Sequence, residues 1–168
     1  MQRRRLLKLG MFSGAVLALA ATGASMWRPG VVGGTLGTGG RELFRAVGQA
    51  LLAGSLPEQP AAKAAALDGL LVRVDELVAG LPPHAQAELS QLIALLCTGP
   101  GRLAMAGLVT DWAQADVPTL HAALDTMRSS RASIRLQTYH ALHDIVGGAY
   151  FSAPSAWTQL GYPGPLAI

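Results

Sequence analysis

From Arg41 onward, apolar residues recur at intervals of three and four, the repeat of one face of an α-helix. No run alternates with period two over the length of a strand. Gly54, Gly80 with Pro82-Pro83, and Gly99-Pro100-Gly101 interrupt the pattern. The sequence therefore predicts an all-α domain over residues 41–148, a small helical bundle or orthogonal helical array of about six segments. The clearest stripe consists of Leu67, Leu70, Leu71, Val74, Leu77 and Val78.

The first residues form a basic stretch followed by an uncharged apolar run, the pattern of an export signal. The apolar run is shorter than the roughly 20 residues that a helix needs to cross a bilayer. We therefore predict a signal over residues 1–25, a periplasmic protein, and membrane contact only during export or through a complex. Both Ala18-Leu19-Ala20 and Thr22-Gly23-Ala24 offer small residues at which the signal can be cleaved. The residues that fit the twin-arginine consensus are Arg4, Arg5, Leu7 and Lys8.

The excess of positive charge belongs to this leader. Four of the thirteen basic residues lie there, and all ten acidic residues lie after it. Without the leader, nine basic and ten acidic residues remain. The net charge of about −1 gives no support to nucleic-acid binding. The charged fraction of 14% is low for a soluble domain, which indicates apolar surface that a partner protein covers.

Six of the twelve residues from position 29 to position 40 are glycine. Glycine at this density makes a regular element costly in backbone entropy, so we predict a tether over residues 26–40. A phosphate-binding loop is not indicated, because no Lys-Ser or Lys-Thr pair follows the glycines.

Few residues in the chain are suited to catalysis. Cys97 is the only cysteine and lies in an apolar run, which favours a buried packing residue over a reactive thiol or an intersubunit bridge. His140, His143 and Asp144 are the only candidates for a metal site, but two histidines three apart are a weak signal. A helix face that packs or hydrogen-bonds at an interface is the favoured interpretation, so no catalytic, cofactor or metal site is predicted on this chain.

The last twenty residues concentrate aromatic side chains in a proline-rich segment. We predict a C-terminal strap over residues 149–168, with a short turn that begins at Pro154. Such a strap either packs on its own domain or also anchors a partner, since Trp and Tyr dominate interface hot spots. The candidate partner-binding residues are Tyr150, Phe151, Trp157, Leu160 and Tyr162.

Three features together carry a resemblance to a known family. They are the twin-arginine leader, the segments Arg128-Ser-Ser-Arg131 and Tyr139-His140-Ala141-Leu142-His143-Asp144, and the ending Trp157-Thr158-Gln159-Leu160-Gly161-Tyr162-Pro163-Gly164-Pro165. The chain resembles the small subunits of periplasmic flavin-dependent dehydrogenases, related to subunit 3 of gluconate 2-dehydrogenase and to the small subunits of sorbitol and glucose dehydrogenases.

That resemblance implies a non-catalytic small subunit. In the family, the large subunit is a flavoprotein of the glucose-methanol-choline (GMC) type that carries the FAD and the chemistry, and a cytochrome c frequently takes the electrons. The small subunit supplies the export signal and escorts the large one. The alternative from the residues alone is a free-standing periplasmic helical protein that binds a ligand or handles a metal through His140, His143 and Asp144.

Overall fold

A computed structural model describes residues 28–157 and 161–164. The predicted export signal, with Arg4, Arg5, Leu7 and Lys8, lies outside these residues, as does Leu160 of the C-terminal segment. The described part contains seven helices and a single two-stranded hairpin, so the all-α prediction is confirmed. None of the described helices is both long enough and apolar enough to cross a membrane.

The helices are α1 (Thr38–Leu51), α2 (Pro60–Ala79), α3 (Pro83–Cys97), α4 (Gly99–Ala106), α5 (Val117–Arg128), α6 (Ser133–Phe151) and the short α7 (Pro154–Trp157). Proline in the first turn begins several of them, where its missing N–H costs nothing. Asp116 caps the N-terminus of α5, since its Oδ1 accepts a hydrogen bond from the Thr119 N–H at 3.0 Å. Hydrogen bonding to the Thr119 side chain, followed by the hydrogen bond from its N–H, holds the pKa of Asp116 below its usual value.

Helix α1 is the centre of the array. It packs against α2, α3, α5 and α6, so its apolar side chains are enclosed on most sides. Leu43, Phe44 and Val47 have no exposed surface. Burying apolar side chains of this size stabilises a fold by about 1.5 to 3 kcal/mol each. The core is therefore one continuous cluster around α1, as expected for a single domain.

The predicted tether is wrong for the part of it that the structure describes. Val31–Val32 (β1) and Thr35–Leu36 (β2) form an antiparallel hairpin, with Val31 opposite Leu36. Gly33 and Gly34 make the turn with positive φ angles of 58° and 80°, which residues with a side chain rarely adopt. The strands are two residues each, too short for a period-two pattern to reveal them.

Glycine also lets the hairpin lie directly against the helices. A Cβ atom on Gly30 would lie 2.4 Å from the Cβ atom of Ile93 on α3. The Gly30 N–H donates to the Ser90 carbonyl at 3.3 Å, and the Leu36 N–H donates to Asp75 Oδ1 on α2 at 2.8 Å. The glycine-rich segment of residues 30–36 is thus bound to α2 and α3, and we call it the clasp. The helical domain begins before residue 41, because α1 starts at Thr38.

The boundary predicted for the C-terminal strap also needs correction. Helix α6 continues through Gly147 and Gly148 to Phe151. Contacts over its last turn outweigh the weak helix propensity of glycine. The Arg73 Nε–H donates to the Ala149 carbonyl at 2.6 Å, and the Tyr150 hydroxyl donates to the Ser55 carbonyl at 2.8 Å.

Candidate functional site

A cleft of about 630 Å³ lies where the hairpin, the start of α1, the end of α3 and helix α4 meet. The loop that follows α4 closes its far side through Asp111 and Trp112. Trp112 is buried and its indole N–H donates to the Leu96 carbonyl at 2.8 Å, which satisfies an acceptor at the C-terminus of α3. The walls of the cleft are therefore fixed by the ends of two helices.

The first turn of α1 forms one wall. Its N-cap residue, Gly37, has no side chain to accept from the helix. The Arg41 N–H donates to the Gly37 carbonyl at 2.9 Å, whereas the N–H groups of Thr38, Gly39 and Gly40 have no acceptor among the residues that the structure describes. This end of α1 consequently presents backbone donors and the positive end of the helix dipole to the cleft.

Arg102 on α4 also lines the cleft and is 6% exposed. Its Nη1 lies 2.8 Å from Oδ1 of Asp111, and its Nη2 donates to the Val109 carbonyl at 3.4 Å. Within the described ranges, its Nε has no hydrogen-bond partner. Arg102 could not be identified as a site residue from the sequence, because its partner Asp111 lies beyond a helix end and no spacing rule connects the two.

Cys97 also lines this cleft, close to α1. Burial, followed by the negative charge of Glu42, raises the pKa of the thiol to about 11, and the positive charge of Arg102 opposes that increase. The thiol is therefore protonated at neutral pH and is a poor nucleophile. A Cβ atom on Gly39 would lie 3.0 Å from Cys97 Sγ, so the sulfur packs tightly against α1.

The three metal-site candidates lie on the exposed side of α6. His143 Nδ1 is 3.1 Å from Asp144 Oδ1, and both side chains are more than half exposed. The ring of Tyr139 lies near both histidines, with centroids 5.6 Å from His140 and 5.8 Å from His143. Among residues 28–157 and 161–164, no group of three or more His, Cys, Asp or Glu side chains is arranged to hold a metal ion.

The aromatic residues near the C-terminus differ in their burial. Tyr150 is 5% exposed and belongs to the core, so its side chain is not accessible to a partner. Phe151 packs edge-to-face on it at 5.1 Å. Trp157 is half-buried and donates from its indole N–H to the Phe151 carbonyl at 2.8 Å. Tyr162 packs edge-to-face on Trp157 at 5.4 Å and is 49% exposed. The segment therefore packs on its own domain and presents Tyr162 outward.

Three large apolar side chains are exposed on elements that border the cleft, and one of them, Val32, lines the cleft itself. Val32, at the end of β1, lines the cleft and is 60% exposed. Leu103 follows Arg102 in the chain and is 53% exposed, and Val109, whose carbonyl accepts from Arg102, is 78% exposed. We call these three residues the apolar rim. Such a grouping marks candidate contact surface for another protein.

No protein-family model, curated protein or solved structure matches this chain. The described residues form an all-α domain with the clasp before its first helix. The resemblance to the dehydrogenase small subunits accordingly rests on the residues of the leader, α6 and the C-terminal segment.

Proposed function

We propose that this chain is the non-catalytic small subunit of a periplasmic flavin-dependent alcohol or sugar dehydrogenase complex. It supplies the twin-arginine signal and escorts the GMC-type large subunit that carries the FAD. The observation that carries the proposal is the Arg4-Arg5-Leu6-Leu7-Lys8 leader attached to a small helical domain. A flavoprotein acquires FAD by folding around it, so its export requires a route for folded proteins, and a signal on a partner subunit meets that requirement.

The exposed apolar side chains support an escort role. The apolar rim and Tyr162 offer large apolar side chains that a partner would remove from water. The clasp supports it as well, because residues 30–36, which follow the leader in the sequence, are bound to α2 and α3 by hydrogen bonds. In this proposal, the signal is therefore attached to a folded domain, and the domain in turn binds the flavoprotein.

The test is export of the partner. Arg4→Lys together with Arg5→Lys should retain both this chain and its co-expressed flavoprotein in the cytoplasm, because the twin-arginine route requires the arginine pair. Cell fractionation with immunoblotting and a dye-reduction assay for the dehydrogenase measures the distribution. Arg28→Lys, a charge-conserving change beyond the leader, is the matched control and should leave export unchanged. Normal periplasmic amounts of the flavoprotein with the double variant would refute the escort role.

A further inference from the structure

The cleft at the start of α1 brings together donors that lack acceptors. The N–H groups of Thr38, Gly39 and Gly40 belong to the first turn of a helix of fourteen residues. No described residue accepts from them. A helix of this length carries about half a positive charge at its N-terminus, which favours an anion in front of these groups.

Arg102 lines the same cleft and carries a positive charge that is almost completely buried. Its side chain is 7% exposed, yet one of its donors, Nε, has no partner in the described part of the chain. A buried guanidinium whose hydrogen-bonding capacity is only partly used is stabilised by an additional anion close to it. The carboxylate of Asp111 lies against Nη1 at 2.8 Å, so one oxyanion of this chain already pairs with the guanidinium.

We propose that this cleft binds a small oxyanion, a free carboxylate or phosphate group, between the first turn of α1 and the guanidinium of Arg102. Arg28, which also lines the cleft, adds a second positive charge. This site involves none of the residues assigned to export, and it goes beyond the escort function.

Two acidic groups in the cleft set the strength of binding. Asp111 competes for Arg102, but its side chain is 62% exposed, so its carboxylate can return to water when an incoming anion takes its place on the buried guanidinium. Glu42 lies on α1 close enough to Cys97 to raise the pKa of that thiol, so its charge also acts in the cleft. Removing the charge of Glu42 should consequently tighten anion binding.

Thr38 allows one donor to be removed without disturbing the helix. It is the first residue of α1, where proline is favoured, and it is exposed. The preceding Gly37 has φ of −67° and ψ of 168°, the extended conformation that a following proline requires. Thr38→Pro therefore deletes one N–H and the hydroxyl, and Thr38→Val deletes the hydroxyl alone.

The experiment is a calorimetric titration of the full-length chain with inorganic phosphate and, separately, with acetate, at constant ionic strength. Thr38→Pro should weaken binding about threefold to tenfold, whereas Glu42→Gln should tighten it about threefold. Thr38→Val separates the loss of the hydroxyl from the loss of the amide. Arg128→Gln, at the exposed end of α5, is the control and should bind like the parent chain. Every variant retains the basic leader, so any anion binding there is common to all.

The ratio of the two affinities identifies the ligand class, since tighter phosphate binding indicates a phosphate ester and tighter acetate binding indicates a carboxylic acid. Two results would overturn the proposal. One is the absence of saturable heat with either anion. The other is equal affinity of Thr38→Pro and the parent chain, with circular dichroism showing that α1 is retained.

Discussion

Asp75 on α2 fastens both the clasp and the start of α1. Its Oδ1 accepts from the Leu36 N–H at 2.8 Å, and its Oδ2 pairs with Arg41 Nη1 at 2.5 Å. The Asp75 side chain is 19% exposed, so solvent replaces these bonds only partly. Each charge-assisted hydrogen bond of this kind contributes about 1.5 to 3 kcal/mol where it is shielded. Because Arg41 is 41% exposed, we reduce its share and expect Asp75→Ala to lower the free energy of unfolding by about 2 to 3 kcal/mol.

Asp68 provides a matched control on the same helix. It lies seven residues before Asp75 and pairs with Arg45, which lies four residues after Arg41, so the two ion pairs join α1 and α2 in the same way. The Asp68 side chain is 64% exposed and binds no backbone group of the clasp. Exposed pairs of this type contribute about 0.2 to 1 kcal/mol, so Asp68→Ala should cost no more than that.

Urea unfolding monitored by circular dichroism measures both variants on the full-length chain. We expect a clear loss of stability for Asp75→Ala and a small one for Asp68→Ala. Limited proteolysis should in addition cut the region around Gly33 faster in the Asp75 variant alone. Equal losses from the two substitutions, or unchanged proteolysis of the hairpin, would show that Asp75 does not hold the clasp.

Two further predictions concern Cys97 and the C-terminal aromatics. The pKa of the Cys97 thiol is raised from 9.0 to about 11, so the rate of its alkylation by iodoacetamide should keep increasing with pH beyond about pH 10. Glu42→Gln should move this pH–rate profile to lower pH, because it removes a negative charge near the thiol. A plateau of the rate near pH 9 in the parent chain would contradict this prediction. Trp157→Ala should destabilise the domain by about 2 to 3 kcal/mol, because the indole is half-buried. Tyr162→Ala should change the stability by about 1 kcal/mol or less. It should, however, weaken binding of the large subunit. Unfolding and pull-down measurements on both variants decide that comparison, and a Tyr162 variant that binds like the parent chain would remove Tyr162 from the interface.

The helices could be predicted because their apolar stripes and their breaks agree. Leu67, Leu70, Leu71 and Val74 are buried as the spacing requires, and Pro60 and Pro83 begin helices. The hairpin escaped prediction because it consists of two-residue strands joined by Gly33-Gly34, and a short Gly-Gly turn was the only signal for it. Helix α6 was predicted to end too early because glycine propensity is local, whereas the hydrogen bonds of Arg73 and Tyr150 that stabilise its last turn come from distant residues.

The candidate site was harder to predict than the fold. Cys97 was predicted to be a buried packing residue, whereas the structure leaves it half-buried at the cleft, with its sulfur packed against Gly39 of α1. Arg102 could not be identified, because an arginine between Gly101 and Leu103 gives no sign that it is buried. Its environment depends on how the loop that carries Asp111 folds back on α4, which is a tertiary property without a sequence period.

The burial of the C-terminal aromatics directs the search for the partner surface. Tyr150 and Trp157 bond to carbonyl groups of this same chain, so substitutions there will change the stability of the domain along with any binding. Substitutions at those residues alone therefore cannot distinguish a loss of domain stability from a loss of affinity for the partner. Tyr162 and the apolar rim are less affected by that problem, because about half or more of each side chain is in solvent. If the chain escorts a flavoprotein, substitutions at Tyr162, Val32 and Val109 should reduce binding while leaving the unfolding midpoint nearly unchanged. Residues at which binding falls and the unfolding midpoint does not are the ones that belong to the partner surface.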